Sequence, residues 1–358
     1  MAKITIDDIS FEVPDGTSIL QAARMMGGDM VPPAMCYYSK LKGTGGFCRS
    51  CLVKVEQGSE KDPRPMPKLV PSCKTTVMDG MVVRNRTSPE VVEARAGVVE
   101  FLLKNHPLDC PVCDQAGECD LQNLGFEHGK DSTRYEFERR TFECIDLGNK
   151  IKLHMNRCIL CYRCVKTAEQ ITDGRVHGVI NRGEVSEIST YIEQAIENDF
   201  SGNMIDVCPV GALTDRTFRF KSRVWFTKPV EAHRECPKCS GKVRLWYQGQ
   251  EILRVTARKD QYGEVEEFIC NDCRFDHKHT NDWVIEAPTK VSNKSVISQN
   301  HYTEDTSFQK RRILAETDLA LGQHLKVGLG IAALNPNIVW VSDEELLAKA
   351  ASKELPNH

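Results

Sequence analysis

Cysteine is the residue type best placed to do chemistry in this chain. The 358 residues include 16 cysteines, and 15 of them fall into four groups with short internal spacings. Closely spaced thiols in a chain without an evident export signal are typical of metal ligands, whereas disulfide frameworks belong to small secreted proteins. The pattern therefore indicates metal binding. The alternative, scattered cysteines that pack as small hydrophobic residues, does not explain the grouping.

The first group combines four cysteines with a glycine-rich segment. Its cysteines are Cys36, Cys48, Cys51 and Cys73, and the glycines are Gly43, Gly45 and Gly46. Four thiolates suit a 2Fe-2S cluster, and glycines let a backbone loop approach the sulfides and aim N–H groups at them. The gap of 11 residues between the first two cysteines is longer than in plant-type ferredoxins. We interpret the group as a 2Fe-2S site, with structural zinc as the alternative.

The second group contains one histidine and three cysteines. The residues are His106, Cys110, Cys113 and Cys119. A single histidine is usually a packed or solvated residue, but here three cysteines leave one position of a 4Fe-4S cluster without a ligand. An imidazole nitrogen can occupy that position, and a neutral ligand in place of a thiolate should raise the reduction potential. The sequence predicts a 4Fe-4S site with His106 as the fourth ligand.

The third group is the one most similar to a bacterial ferredoxin. Cys158, Cys161 and Cys164 recur every third residue, and Cys208 with Pro209 follows after a gap of 43 residues. Three such cysteines can face one side of a 4Fe-4S cluster, and a remote Cys-Pro supplies the last ligand. We interpret the group as a second 4Fe-4S site. A zinc site, the alternative, would rarely use three thiolates so closely repeated.

Hydrophobic periodicity indicates which elements hold the first two groups. Residues 3–6 and 9–13 alternate with period two, which predicts a hairpin. Ser18 opens a capping-box pattern and therefore a helix, and residues 52–56 and 81–84 add two strands. A further helix is predicted from Pro89 to Asn105, so that its C-terminal end carries His106.

The sequence predicts an α+β protein with several small units. Residues 243–256 alternate around Gly249 and indicate a second β-hairpin. The predicted organisation is a 2Fe-2S ferredoxin-like β-grasp domain at 1–86, a helix and His-Cys cluster unit at 87–143, a 4Fe-4S ferredoxin-like domain at 144–225, a Cys-rich β unit at 226–287, and an extended tail at 288–358.

Composition excludes several classes of function. Charged residues make up 27% of the chain, and the formal net charge is -3. A nucleic-acid-binding protein would carry a basic excess, so no nucleic acid partner is expected. The longest apolar runs are far shorter than the 18 or so residues of a transmembrane helix, so no direct membrane span is expected.

Three stretches together resemble the large iron–sulfur subunit of respiratory complex I, the NADH:quinone oxidoreductase. They are GFCRSCLVKV at 46–55, HPLDCPVCDQAGECDLQ at 106–122, and RCILCYRC at 157–164 with DVCPVGAL at 206–213. The resemblance covers roughly residues 1–225 with little interruption. It implies that groups one to three bind one 2Fe-2S and two 4Fe-4S clusters.

The resemblance also implies the place of the chain in electron transfer. Electrons would come from NADH through FMN on a partner flavoprotein subunit and pass along the clusters toward quinone. Other peripheral-arm and membrane-arm subunits would be further partners. No dinucleotide, flavin or nucleophile site is evident in the chain, so it is not expected to be catalytic alone and no catalytic residue is proposed.

Two other interpretations remain open at this point. Soluble NAD-linked hydrogenases and formate dehydrogenases use similar cluster modules with different partners, and the ligand motifs separate them poorly from complex I. A non-redox scaffold that binds zinc is the third interpretation. The continuation beyond group three into a fourth metal region favours complex I.

The fourth group departs from the family pattern. Cys236 and Cys239 form one CxxC pair, and Cys270 and Cys273 form another beyond the predicted hairpin. Family members with an extra 4Fe-4S cluster here resemble C-x2-C-x3-C with one distant cysteine, whereas position 243 is valine. Two CxxC pairs suit a single tetrahedral ion. Zinc is favoured, an additional 4Fe-4S cluster is the alternative, and cysteines free of metal are the third possibility.

The ends of the chain carry three expectations. The absence of a targeting segment favours the cytoplasmic side of a bacterial inner membrane, with attachment through partner subunits. The chain ends before the large domain that resembles molybdopterin oxidoreductases, so no molybdenum cofactor is expected. The polar tail at 288–358 is expected to lie along a partner, and the remaining cysteine, Cys144, is interpreted as a packing residue.

Overall fold

The N-terminal part of the chain forms a five-stranded sheet. Its strands are β1 (Ala2–Ile6), β2 (Ile9–Val13), β3 (Leu52–Gln57), β4 (Val70–Pro71) and β5 (Met81–Arg84), in the spatial order β2-β1-β5-β3-β4. β1 pairs antiparallel with β2 and parallel with β5. The predicted hairpin is confirmed, and Asp7 and Asp8 at its turn both have positive φ angles, 45° and 73°, as a two-residue type I′ turn requires.

One helix crosses this sheet. Helix α1 (Ile19–Met26) buries Ile19, Ala22 and Ala23 against the strands. The capping box predicted at Ser18 is confirmed, because its hydroxyl accepts from the Gln21 amide and the Gln21 side chain accepts from the Ser18 amide. These bonds satisfy two amides at the start of the helix that would otherwise lack partners.

The computed structural model describes residues 1–286, apart from residues 144, 146, 173–176 and 191–194 and the side chain of residue 184. The expectations for Cys144 and for the 288–358 tail lie outside these residues. Met1–Glu286 forms one compact unit. No helix in this described part is both long and apolar enough to cross a membrane.

Two helices come after the first sheet. Helix α2 (Pro89–Leu103) begins as predicted and ends two residues before the predicted Asn105. Helix α3 (Asp120–His128) packs against it. Arg95 on α2 is buried and donates to the carbonyl of Leu52 on β3 at 3.0 Å, which ties α2 to the sheet.

The next part is built from two short strand pairs and two helices. Strand β6 (Ile151–Leu153) pairs antiparallel with β9 (Leu213–Asp215), and β7 (His177–Ile180) pairs antiparallel with β8 (Glu187–Thr190). Helices α4 (Arg163–Gln170) and α5 (Asn203–Val207) pack together. The closing pair β6 and β9 brings the two ends of this part side by side.

A four-stranded antiparallel sheet closes the described chain. Its strands are β10 (Lys228–His233), β11 (Lys242–Gln248), β12 (Glu251–Ala257) and β13 (Val284–Ile285), in the order β12-β11-β10-β13. β11 and β12 form the predicted hairpin, with Gly249 at φ 62° in its turn. The α+β class predicted from the sequence is confirmed, with mixed small sheets and short helices throughout the described part.

Candidate metal centres

The first cysteine group is gathered by the loop before β3 and the turn after β4. All four thiols are buried, and the Sγ atoms of Cys51 and Cys73 are 3.4 Å apart. The thiols of Cys48 and Cys73 lie close enough to donate to Cys36 and lower its pKa. The same contacts raise the pKa of Cys48 and Cys73, so they favour the thiolate at Cys36 and the neutral thiol at its two donors. Cysteine binds metal as the thiolate.

Backbone amides point at these sulfur atoms. Gly46 donates to Cys73 Sγ at 3.2 Å, and Phe47 donates to Cys36 Sγ at 3.3 Å. The loop needs its glycines, since Gly45 and Gly46 have φ angles of 91° and 87°. A Cβ at position 45 would lie 3.2 Å from Cys73 Sγ. The donor set and the amide cradle fit a 2Fe-2S cluster.

The second group lies between α2 and α3. Cys110 is exposed and begins a 3-10 turn, Cys113 and Cys119 are buried, and Cys119 caps α3. His106 lies beyond the end of α2, and its buried Nδ1 atom has no hydrogen-bond partner among the described residues. Burial, helped by the charge of Arg157, lowers the pKa of His106 to about 4. A neutral imidazole with an unpaired nitrogen fits the role of a ligand.

The third group surrounds one apolar cavity. Cys158, Cys161, Cys164 and Cys208 all line it, together with aliphatic side chains that include Leu153 and Leu213. Cys164 lies in the first turn of α4, and Cys208 caps α5. Burial raises the pKa of all four thiols, that of Cys161 to about 12. Burial thus favours the neutral thiol, so four thiolates here would need a compensating positive charge, which the irons of a cluster would provide.

Arg163 joins the third group to the first. Arg49, Arg157 and Arg163 each lie next to a proposed ligand in the sequence, which does not show whether their side chains are exposed to solvent. In the structure Arg157 and Arg163 are buried, whereas Arg49 is exposed. The guanidinium of Arg163 donates to the carbonyls of Ala34 at 3.0 Å and Tyr37 at 2.9 Å, just before the Cys36 loop and within it. It also donates to the carbonyl of Val207, beside Cys208, at 3.4 Å.

The third group also touches the second. The Asp120 amide, next to Cys119, donates to the carbonyl of Pro209, next to Cys208, at 3.2 Å. A Cβ added at Gly211 would fall only 2.1 Å from Cys113 Sγ. Glycine is therefore the one residue type that lets these two ligand segments approach so closely.

The fourth group is the most compact. Cys236, Cys239, Cys270 and Cys273 have all their Sγ atoms within 4.8 Å of one another, and among the described residues no other cluster of three or more potential ligands does so. Group one also contains a close pair, Cys51 and Cys73, but its four Sγ atoms do not all lie within that limit. The close contacts in group one, the shared cavity of group three and the compact fourth group agree with the grouping predicted from spacing, and the ligand assignments stay predictions.

A buried polar junction was missed by reasoning from the sequence. Glu264 is 1% exposed and accepts from Arg24 at 2.5 Å and from the Ser39 amide at 2.8 Å. These residues are more than 200 positions apart, and no local pattern marks Glu264 as buried. Only the fold brings the N-terminal unit against the segment after β12.

Three sequence families match successive parts of the chain. Residues 1–88 match a 2Fe-2S iron-sulfur cluster binding domain. Residues 95–134 match the NADH-ubiquinone oxidoreductase-G iron-sulfur binding region. Residues 148–214 match the ferredoxin-like domain of NADH-quinone oxidoreductase subunit 3. The fourth cysteine group lies outside these three segments.

Curated relatives carry related names. The NADH-ubiquinone oxidoreductase 75 kDa subunit of Reclinomonas americana is 41% identical over 275 residues, which are 77% of this chain and 38% of the relative. NADH dehydrogenase [ubiquinone] iron-sulfur protein 1, mitochondrial, of Solanum tuberosum is 40% identical over 273 residues, 76% of this chain and 35% of the relative. The chain thus spans well under half the length of these relatives.

One solved structure shares the fold. A chain of an NAD+-reducing [NiFe]-hydrogenase in its H2-reduced state superposes with a TM-score of 0.52 at 24% identity. The match covers 62% of this chain and 91% of the hydrogenase chain. At that identity the likeness concerns the fold.

Proposed function

This chain belongs to the family of the large, 75 kDa-type iron–sulfur subunit of NADH-quinone oxidoreductase over about three quarters of its length, and from that membership we propose that it is an electron-transfer subunit of such an enzyme. Its role would be to relay electrons from the flavin of a partner subunit toward quinone. The chain itself would hold no substrate pocket and would not be catalytic alone.

The observation that carries the proposal is a shared core. Thiols from all three groups lie in one continuous cluster of buried side chains; they are Cys36, Cys48, Cys119, Cys161, Cys164 and Cys208. Electron tunnelling weakens steeply with distance, so redox centres that act in sequence must be packed without water-filled gaps between them. One apolar core that includes ligands of all three groups meets that requirement.

We assign the ligands as follows. The 2Fe-2S cluster would be held by Cys36, Cys48, Cys51 and Cys73, one 4Fe-4S cluster by His106, Cys110, Cys113 and Cys119, and the other by Cys158, Cys161, Cys164 and Cys208. When bound, such clusters supply one-electron redox chemistry. The side chains and amides around them bind the irons, exclude water and set the potentials.

The protein residues near each group have separable tasks. The amides of Gly46 and Phe47 donate to ligand sulfurs, which stabilises added negative charge and favours the reduced state. Buried Arg163 does the same by its charge, since it lies within the ligand run of group three. The aliphatic lining of the third cavity keeps water from the thiolates.

The proposal includes partners and a location. They are a flavoprotein subunit that binds NADH, further peripheral-arm subunits, and membrane-arm subunits that attach the assembly to the cytoplasmic side of a bacterial inner membrane. The polar tail at 288–358 would contact one of these partners.

The test is anaerobic co-purification of the full chain with its native partners. We expect a flavoprotein and quinone-site and membrane subunits, together with about ten irons per chain, the sum for one 2Fe-2S and two 4Fe-4S clusters. Absorption that bleaches with dithionite should accompany them. Recovery with hydrogenase or formate dehydrogenase subunits would overturn the assignment to quinone reduction, and a colourless, iron-free complex would overturn electron transfer altogether.

A further inference from the structure

The fourth cysteine group has the dimensions of a site for one ion. The Sγ separations are 3.6 Å between Cys236 and Cys270, 3.7 Å between Cys239 and Cys270, and 3.7 Å between Cys239 and Cys273. A tetrahedron of thiolates around zinc, with bonds of about 2.3 Å, has edges of about 3.8 Å. Thiolates of a 4Fe-4S cluster each bind a different iron and would stand farther apart.

The backbone around these thiols is also suited to binding one ion. The Lys238 amide donates to Cys236 Sγ at 3.5 Å, the Gly241 amide to Cys239 Sγ at 3.4 Å, and the Cys273 amide to Cys270 Sγ at 3.5 Å. Gly241 has a φ of 69°, and a Cβ there would fall 1.9 Å from the carbonyl oxygen of Arg234. Each CxxC pair is thus a turn whose amides stabilise thiolate sulfur.

We propose that Cys236, Cys239, Cys270 and Cys273 bind one zinc ion, and that this ion clamps the segment carrying Cys208 in place. The second part of the proposal rests on the proposed function, because Cys208 is the remote ligand assigned to the third cluster. The zinc would be structural, since it has no redox chemistry.

Asn271 is the first contact of the clamp. It lies between the two cysteines of the second pair, and its side-chain amide donates to the carbonyl of Asn198 at 2.7 Å and to Ser201 Oγ at 3.0 Å. Its Oδ1 atom accepts from the Gly202 amide at 2.9 Å. Residues 198–202 lead directly into α5 and then to Cys208, so the side chain inside the zinc turn fixes where that segment begins.

Asn203 makes the reciprocal contact. Its side chain donates to the carbonyl of Ile269 at 2.8 Å and accepts from the Ile269 amide at 3.1 Å. Ile269 directly precedes Cys270 in the chain, and both residues are fully buried. The first residue of α5 is therefore bonded to the backbone one position before a zinc ligand.

Ion pairs complete the connection. Arg274, next to Cys273, pairs with Asp206, two residues before Cys208; these side chains are 1% and 3% exposed. Lys238 in the first turn pairs with Asp272 in the second and with Asp199 in the clamped segment, each at 2.9 Å. A buried charge that loses its partner is strongly destabilising, so the Arg274–Asp206 pair depends on the second turn keeping its position.

The consequence is coupling between the zinc and the third cluster. Without the ion, nothing covalent holds the turn at Cys270 and Cys273 to the turn at Cys236 and Cys239. Asn271 and Arg274 would then no longer be fixed against residues 198–206. The Cys208 segment would open more often, and a chelator would capture the third cluster during such openings.

The experiment compares three variants in the full chain, purified anaerobically with its partners. Cys239→Ser removes a zinc ligand. Asn271→Ala keeps all four thiols but removes the contact to residues 198–202. Asn281→Ala is the control, because Asn281 is exposed and lies outside the clamp. Zinc and iron are measured per chain, iron release to a chelator is followed in time, and hydrogen exchange is measured for residues 198–207.

We expect about one zinc per wild-type chain, as a four-thiolate structural site requires. Cys239→Ser should lose it, release about four irons at least tenfold faster than wild type, and exchange faster at 198–207. Asn271→Ala should keep the zinc yet show the faster exchange and iron release, and Asn281→Ala should match wild type. The signal of the 2Fe-2S cluster should be the same in all four proteins.

Several results would overturn the inference. One or four additional irons that depend on Cys239, in place of zinc, would refute the identity of the metal. Zinc loss without faster exchange at residues 198–207 would refute the clamp. If the wild type holds zinc and the two variants exchange faster at residues 198–207, but the wild type has no third cluster, the clamp stands and the electron-transfer proposal fails.

Discussion

At the scale of single residues, the ligand types account for most of the chemistry. His106 differs from the other proposed ligands because a neutral imidazole adds no negative charge to its cluster. Its Nδ1 atom is buried and unpaired among the described residues, and burial lowers its pKa to about 4. The side chain is thus neutral near pH 7 with a nitrogen available, as a metal ligand requires.

Replacing this histidine by cysteine tests the ligand assignment. His106→Cys should leave a 4Fe-4S cluster assembled but lower its reduction potential by on the order of 100 mV, because a thiolate donates negative charge where imidazole does not. Anaerobic redox titration followed by electron paramagnetic resonance measures the shift. His279→Cys, at an exposed position, is the control, and an unchanged potential in His106→Cys would argue against ligation.

Arg163 provides a second test at this scale. Arg163→Met leaves the carbonyls of Ala34, Tyr37 and Val207 without their donor, which should cost about 2–4 kcal/mol of stability. The potential of the third cluster should fall as well, since a positive charge is removed. Thermal melting and redox titration measure the two effects. Arg49 also lies next to a proposed ligand, but its side chain is exposed, so the control Arg49→Met should change neither the melting temperature nor the reduction potential.

At the scale of elements, the ligand turns are positioned by the helices and strands that adjoin them. Cys119 occupies the N-cap position of α3, Cys164 lies in the first turn of α4 and Cys208 is the C-cap residue of α5, so helix ends fix three proposed ligands. The strand pair β6 and β9 then closes the third group into one cavity. Close backbone approach at Gly211 brings the second and third groups together, and this makes the spacing between these two groups sensitive to a single methyl group.

Two glycine-to-alanine substitutions test whether the spacing depends on Gly211. In Gly211→Ala the new Cβ would lie 2.1 Å from Cys113 Sγ, so Cys113 or the segment after Cys208 must move. We expect loss of about four irons, the content of one 4Fe-4S cluster. In the control Gly97→Ala the new Cβ meets no atom within 4 Å and lies within α2, so iron should be retained and stability should rise by up to about 1 kcal/mol. Full iron content in Gly211→Ala would contradict the close approach.

At the scale of the whole molecule, buried hydrogen bonds join the N-terminal unit to the last β unit. Glu264 accepts from Arg24 and from Ser39, and the Val265 amide donates to the hydroxyl of Tyr38 at 2.6 Å. Tyr38 lies in the loop of the first cysteine group. These hydrogen bonds therefore fix the position of the first cysteine group relative to the part of the chain that carries the fourth group.

Removing the buried carboxylate of Glu264 tests these hydrogen bonds. Glu264→Ala should lower the melting temperature of the holoprotein by about 5–10 °C, because Arg24 and Ser39 lose their acceptor in a buried site. Differential scanning calorimetry under anaerobic conditions provides the measurement. Glu267→Ala removes a nearby exposed carboxylate and should change the melting temperature little. Equal shifts in both variants would refute a specific contribution of the Glu264 contacts.

The sequence by itself determined the first hairpin, the capping box at Ser18 and the hairpin around Gly249, and it predicted the ligand groups. These features depend on residue type and on spacings of a few positions, which act locally in any fold. Only the tertiary structure decided that the first three groups share one core, that Arg163 and Gly211 bridge them, and that Asn271 and Glu264 contact distant segments. Such contacts join residues tens to hundreds of positions apart, and their energy depends on burial, which no local pattern specifies.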